Sequence, residues 1–219
     1  MKRIILLLSI LFINGLYATN IDELFVKSGN AIDRFMAIPE ESIPPQLFRK
    51  CSAIAIVPGM IRGGFILGAR YGHGVVFFKN GKDWSNPIFI KMYGGSIGWQ
   101  MGLESIDVVL FFMKKGIISD LINGKITLGV DLSVAVGPVG RSALAGTDIK
   151  LESEVYSYSR SRGAFIGVAL AGSSLEPDDD YNEEFYQTIY IKLDDIFRKR
   201  FDNQYLQILK SKLREYSNW

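Results

Sequence analysis

The sequence predicts an α+β fold: a strongly curved antiparallel, barrel-like β-sheet flanked by N-terminal and C-terminal helices. Helical periodicity is confined to the two ends of the chain, while short runs rich in β-branched and aromatic residues fill the middle. The chain also contains 22 glycines, many of them inside these runs. A missing side chain lets a sheet bend sharply or lets another chain segment come close.

Residues 1–18 have the pattern of a secretory signal peptide. Lys2 and Arg3 form a basic start, and residues 4–13, which follow, are almost entirely apolar. This apolar run is too short to span a bilayer comfortably, although an uncleaved anchor is the alternative. We therefore expect a single mature domain, residues 19–219, that is periplasmic or secreted.

The charge balance and the single cysteine limit the possible functions. The full chain has 25 Lys and Arg against 23 Asp and Glu, and residues 1–18 contribute Lys2, Arg3 and no acid. The mature domain is therefore formally neutral, which argues against nucleic acid as a partner. Cys51 precedes an apolar run and is predicted to be a buried, inert thiol.

Helices are expected on both sides of the sheet. Residues 21–36 place apolar side chains at helical spacing after an acidic first turn, which is typical of an amphipathic helix. Pro44 and Pro45 suit the first turn of a short second helix. Beyond Pro177 the pattern is helical again, with a C-terminal helical extension predicted at about residues 192–217.

The expected strands are separated by turn signals rich in glycine, proline and asparagine. A single short helix is expected among them, within residues 114–122. The strands are predicted at residues 53–57, 64–70, 74–79, 87–93, 96–102, 106–113, 125–137, 149–160 and 163–172.

Residues 93–112 contain glycines spaced four apart, a spacing also found where transmembrane helices touch. A membrane span here would bury an amide and two carboxylates, so two glycine-rich strands joined near Glu104 are the prediction. Asp107 lies between apolar residues and is expected to be at least partly buried and hydrogen-bonded. We expect Gly98→Val and Gly102→Val to overpack a crowded sheet and destabilise the fold.

Patterns typical of catalysis are absent from the sequence. His73 is the only histidine, and its glycine-bounded segment is expected to be a turn in which it has a structural or exposed role. Residues 176–185 alternate oxygen-bearing side chains but lack the glycine bend of a calcium loop, so a loop that caps the next helix is preferred. We expect no enzyme activity, no metal and no cofactor.

Four stretches, taken together and in order, resemble the SYLF domain family. The resemblance runs from about residue 20 to residue 190 and implies a non-enzymatic lipid-binding domain. Fungal and animal members bind phosphoinositides and in yeast touch actin, but only lipid binding is carried over here. The stretches are residues 51–77, 84–112, 128–141 and 155–186, with Trp-Ser-x-Pro at 84–87, Gly-x-Gln-x-Gly at 98–102 and Tyr-Ser-Tyr-Ser at 156–159 as the most specific elements.

The resemblance also implies that the helix opening the domain contacts the membrane. Its apolar side would enter the lipid, and its basic residues would meet lipid phosphates. The alternative is that the same stripe packs the helix on the sheet, which is how surface helices usually bury an apolar stripe. The candidate lipid-binding residues are Phe25, Lys27, Ile32, Arg34 and Phe35.

The function predicted from the sequence is lipid or membrane-surface binding in the bacterial cell envelope, with phospholipid or the membrane surface as the partner. A structural or adhesive module that binds an unspecified protein is the alternative. An enzyme acting on lipid is the third possibility, and the missing catalytic pattern makes it the least favoured.

Overall fold

The computed structural model describes residues 21–98, 103–122, 124–140, 152–161, 164–165 and 170–217. Its helices are α1 (Ile21–Met36), α2 (Pro45–Lys50), α3 (Ile117–Ile122), α4 (Asp179–Tyr186), α5 (Leu193–Phe197) and α6 (Gln204–Ser217). Its strands are β1 (Ala53–Asn80), β2 (Asp83–Trp84), β3 (Ile88–Gly98), β4 (Leu103–Phe112), β5 (Ile126–Thr127), β6 (Val134–Val136), β7 (Val155–Ser161), β8 (Ala164–Phe165) and β9 (Ser173–Pro177).

The strands form one sheet that curls strongly into a half barrel. Its order is β5-β9-β3-β1-β4-β7-β6, with β2 beside β1 and β8 beside β7. The described pairings are antiparallel apart from that of β6, which runs parallel to β7. The predicted α+β class, with a curved barrel-like sheet between helices, is thus confirmed, and the sheet is mixed rather than wholly antiparallel.

β1 is unusually long, and it folds back on itself so that its two ends lie close together. A fully extended strand of its 28 residues would span roughly 90 Å. Instead the N–H of Lys79 donates to the carbonyl of Ser52 at 2.9 Å. The first half of β1 pairs with β4 and the second half with β3. Glycine is required inside the fold, since a Cβ atom on Gly74 would lie 2.5 Å from the carbonyl oxygen of Ile56.

Several predicted strand boundaries are wrong. Residues 53–57, 64–70 and 74–79 belong to the single element β1, because its glycines lie inside the strand rather than between strands. Glu104, near which a connection between two strands was expected, lies inside β4. Gly102 lies outside the described residues, so the overpacking predicted for Gly98→Val and Gly102→Val stays a prediction. Among the described helices, none has the length and apolar character to cross a bilayer.

Alternate residues of the sheet enter two separate apolar layers, as the period of a strand requires. Ile54 and Phe77 face one layer, which contains the buried sides of α1, α2 and α6. Ala55 and Phe78 face the other, which contains side chains from α3 and α5. Both faces of the sheet are therefore covered, and this explains the high apolar content of the central strands.

Candidate functional site

The apolar side of α1, predicted to meet lipid, packs against the sheet. Phe25, Ile32 and Phe35 are at most 1% exposed. The ring of Phe25 lies 5.7 Å from that of Phe89 on β3, centroid to centroid. In this conformation a bilayer reaches none of the three side chains unless α1 first separates from the sheet. Lipid contact by α1 stays a prediction.

The two basic residues predicted on α1 already have acidic partners. Lys27 pairs with Glu23 at 2.7 Å. The Nε and Nη2 atoms of Arg34 donate to Oδ2 of Asp107 at 2.9 and 2.6 Å, and the N–H of Gly59 donates to Oδ1 at 3.0 Å. The side chain of Asp107 is 14% exposed. The prediction that Asp107 is partly buried and hydrogen-bonded is therefore confirmed.

A cleft of about 370 Å³ opens where the ends of α2 and β1 meet α3 and α5. Its described lining includes lysines and apolar side chains but no carboxylate. We call it the basic cleft. Its lysines are Lys50, Lys79 and Lys115, and its apolar residues include Phe78, Ile117 and Phe197. Sequence reasoning missed this site because its lysines are far apart in the chain.

Lys79 is held in place at the inner part of this lysine group. Its Nζ donates to the carbonyl of Phe48 at 3.0 Å and to the hydroxyl of Ser217 at 3.3 Å, and lies 4.3 Å from the ring centroid of Trp84. Partial burial lowers the pKa of Lys79. A lysine has three N–H donors, and these two hydrogen bonds use two of them.

Lys50 and Lys115 supply the exposed positive charge of the basic cleft. Lys114, next in the chain to Lys115, pairs with Asp120 at 3.5 Å. In the described part of the chain, neither Lys50 nor Lys115 lies within ion-pair distance of a carboxylate. Their charge is therefore available to an external anion.

Cys51 lines the basic cleft but offers no reactive thiolate. Its side chain is 3% exposed, and burial raises the pKa of the thiol to about 12. The thiol is therefore protonated near neutral pH. The predicted buried cysteine is confirmed.

His73, expected in a turn, lies within β1 and takes part in a polar chain. Its Nδ1 is 2.6 Å from Oδ2 of Asp178, and the hydroxyl of Tyr71 is 3.2 Å from its Nε2. Lys91 on β3 lies 3.4 Å from Oδ1 of Asp178, whose side chain is 1% exposed. Burial acts to raise the pKa of Asp178, but His73 and Lys91 outweigh it and the net pKa is lowered. The group ties β1 and β3 to the start of α4.

A second groove, of about 330 Å³, lies beside α4. It is lined by apolar residues from β3, α3 and the segment before α5, together with two carboxylates of α4. We call it the acidic groove. Its apolar residues include Ile88, Ile122 and Ile189, and its carboxylates are Asp179 and Glu183. Residues 176–185, considered above as a calcium loop, form the end of β9 and most of α4.

The sequence is similar to several proteins of animals and yeast. It is 32% identical over 185 residues to SH3 domain-containing YSC84-like protein 1 of Xenopus laevis, covering 81% of this chain and 55% of that protein. The human protein of the same name is 35% identical over 151 residues, covering 68% and 44%. LAS seventeen-binding protein 3 of Saccharomyces cerevisiae is 34% identical over 152 residues, covering 67% and 33%. The chain thus spans about half the length of these relatives or less.

The model of one protein family, Ysc84, described as Las17-binding protein actin regulator, matches residues 93–216. This region begins in β3 and continues through the last turn of α6. It includes the later half of the residues that line the basic cleft, and the residues that line the acidic groove apart from Ile88. Because the match covers more than half of the chain, and because the relatives agree with it, the protein belongs to the Ysc84 family, whose domain is also called SYLF.

Proposed function

We propose that this protein is a non-enzymatic binding protein for anionic lipid at a membrane surface, and that the basic cleft receives the lipid phosphate. One observation carries the proposal: Lys50, Lys79 and Lys115 share a cleft whose described lining has no carboxylate. Lysine binds phosphate as a point charge, and the adjacent apolar residues suit the less polar part of a lipid.

The site has to be local because the mature domain is formally neutral. A neutral protein gains no general attraction to an anionic surface, so the attraction must come from a concentrated group of charges. Each lysine near an anionic bilayer contributes about 1 kcal/mol, and this contribution is screened by salt. We place the activity in the bacterial cell envelope, in the periplasm or outside the cell, on the strength of the signal-peptide pattern.

Flotation with vesicles tests the proposal. Phosphatidylcholine vesicles with and without phosphatidylglycerol are compared at low and high salt. We expect binding only to anionic vesicles at low salt, and the double variant Lys50→Gln/Lys115→Gln should bind about thirty-fold more weakly, from about 2 kcal/mol of lost attraction. Folded protein that never floats with anionic vesicles would rule out the lipid proposal.

Two further variants locate the binding surface. Lys125→Gln/Lys192→Gln removes the same number of charges outside the basic cleft and should bind like the wild type. Lys27→Gln tests the predicted membrane contact of α1, where the lysine already pairs with Glu23. If Lys27→Gln weakens flotation and the cleft variant does not, the lipid contacts α1 and the basic cleft is not the site.

Protein binding is the second candidate function. The family description refers to Las17 binding and actin regulation, and the name of the yeast relative refers to binding of LAS seventeen. Large apolar side chains are exposed at Ile189 (73%) and Tyr190 (80%). Exposed apolar surface of this kind is typical of an interaction site. Binding of the purified protein to a protein ligand without vesicles would favour this function.

A further inference from the structure

We infer that the acidic groove is a docking site for a protein segment in which a large apolar side chain stands next to a lysine or arginine. This site is separate from the basic cleft and does not depend on lipid binding. The inference rests on protein binding, the second candidate function above, and adds to it the surface that binds and the chemistry of the partner.

The apolar part of the groove has a buried base and an exposed edge. Ile88 is 1% exposed, whereas Ile189 and Tyr190 are 73% and 80% exposed. Leu193, three residues beyond Tyr190, is 55% exposed. The concave site beside these exposed apolar side chains has a volume of about 330 Å³. An apolar side chain of a partner that fills it removes apolar surface from water, which favours binding.

The acidic part of the groove selects a cationic partner. Asp179 and Glu183 are four residues apart on α4, so they lie on the same face of the helix. Both are exposed, and in the part of the chain that the structure describes neither forms an ion pair. A cation placed between them would relieve the repulsion between two neighbouring negative charges. The charge therefore favours lysine or arginine and disfavours a lipid phosphate.

The wall that carries these carboxylates is rigid. Asn182 is 3% exposed, and its amide forms two hydrogen bonds with the backbone of Phe89, at 2.9 Å to the N–H and 2.8 Å to the carbonyl. Tyr186 donates to the carbonyl of Pro87 at 2.7 Å. These bonds fix α4 on β3 before any ligand arrives, and a preformed site loses less entropy on binding.

Selection from a random peptide library displayed on phage tests the inference. The immobilised wild-type protein and the variant Asp179→Lys/Glu183→Lys are used in parallel, and Kd is measured for the selected peptides by fluorescence anisotropy. The wild type should enrich peptides with lysine or arginine beside a large apolar residue. The charge-reversed variant should bind these peptides at least about tenfold more weakly.

Two more variants separate groove binding from general attraction. Glu184→Lys reverses one charge on the same helix, half the charge change of the double variant, at a position outside the groove lining, and should keep most of the affinity. Ile189→Asn alters the exposed apolar edge without adding charge, at a position where a polar residue does not disturb the core, and should weaken binding by a similar factor to the charge reversal. Circular dichroism and thermal melts establish that each variant is folded.

Several results would overturn the inference. They are the absence of enriched peptides, enrichment of acidic peptides, and equal weakening by Glu184→Lys and by the charge reversal. Occupation by a second copy would be seen as a concentration-dependent dimer in sedimentation that Ile189→Asn abolishes. Occupation by lipid would be seen as vesicle binding that Ile189→Asn abolishes. The lipid proposal and this inference can fail separately, because they concern different sites. The variant Lys50→Gln/Lys115→Gln, which tests lipid binding, should leave peptide binding unchanged.

Discussion

Replacing Asp178 with alanine should destabilise the fold more than the loss of an ordinary surface carboxylate. Asp178 is 1% exposed, while its partners His73 and Lys91 are 26% and 27% exposed. The variant loses one short hydrogen bond and one ion pair, each of which is worth about 1.5–3 kcal/mol when charge is involved. Both partners reach water and recover part of this energy by hydration. We therefore expect a net loss of about 2–3 kcal/mol.

For a protein of 219 residues, this loss corresponds to a decrease in Tm of roughly 5–10 °C. Thermal melts followed by circular dichroism at neutral pH measure it. Asp178→Asn keeps the shape and part of the hydrogen bonding, so its Tm should lie between those of the wild type and Asp178→Ala. Asp194→Ala is the control, because Asp194 and its partner Arg198 are 74% and 78% exposed, and the expected change is within about 0.5 kcal/mol.

The pH dependence gives an independent test of the same interaction. The folded pKa of Asp178 is lowered from its unfolded value, so its stabilisation is complete above an unfolded pKa of about 4 and is lost as the pH falls through the folded pKa. The difference in Tm between wild type and Asp178→Ala should narrow as the pH falls below about 4. A Tm equal to the wild type at neutral pH would refute the reasoning, and so would a difference that grows as the pH falls below about 4.

Three further predictions concern single positions. Asp107→Ala removes the acceptor of an arginine and of a backbone N–H, so unfolding should become easier by about 1–3 kcal/mol in urea titrations; an unchanged midpoint would show that these contacts do not stabilise the fold. Gly74→Ala places a methyl group against a backbone carbonyl and should cost on the order of 1–3 kcal/mol, whereas Gly95→Ala, where a Cβ meets nothing within 4 Å, should leave the melting curve almost unchanged. Because burial raises the pKa of Cys51 to about 12, the thiol should react with iodoacetamide at pH 8 only in denaturant, and rapid alkylation of folded protein would contradict its burial.

The class of the fold and the family could both be predicted from the sequence alone. Helical spacing in residues 21–36 and strand-like alternation in the middle are local patterns, and each records which side chains face an apolar layer. Asp107 was predictable for the same reason, because a carboxylate between apolar neighbours needs partners. The specific motifs, such as Tyr-Ser-Tyr-Ser at 156–159, carried the resemblance that the family match confirms.

Strand boundaries depended on contacts that the local sequence does not record. Glycine is typical of turns, so the segment around His73 was expected to reverse the chain. In the fold these glycines lie in β1 because another backbone segment passes within 2.5 Å of the position of a Cβ on Gly74. Glycine occurs both in turns and in crowded strands, so the residue type alone does not distinguish the two. The difference is whether another segment of backbone packs against the glycine.

The candidate sites were decided by tertiary structure alone. Lys50 and Lys79 come together because β1 folds back, and Lys115 joins them at the start of α3. The apolar stripe on α1 could be predicted from its helical spacing, but its contact partner could not. The same spacing occurs in helices that pack on a protein core and in helices that lie on a membrane. In this fold the sheet covers Phe25 and Phe35, because a helix whose apolar side contacts a sheet removes that surface from water without a bilayer.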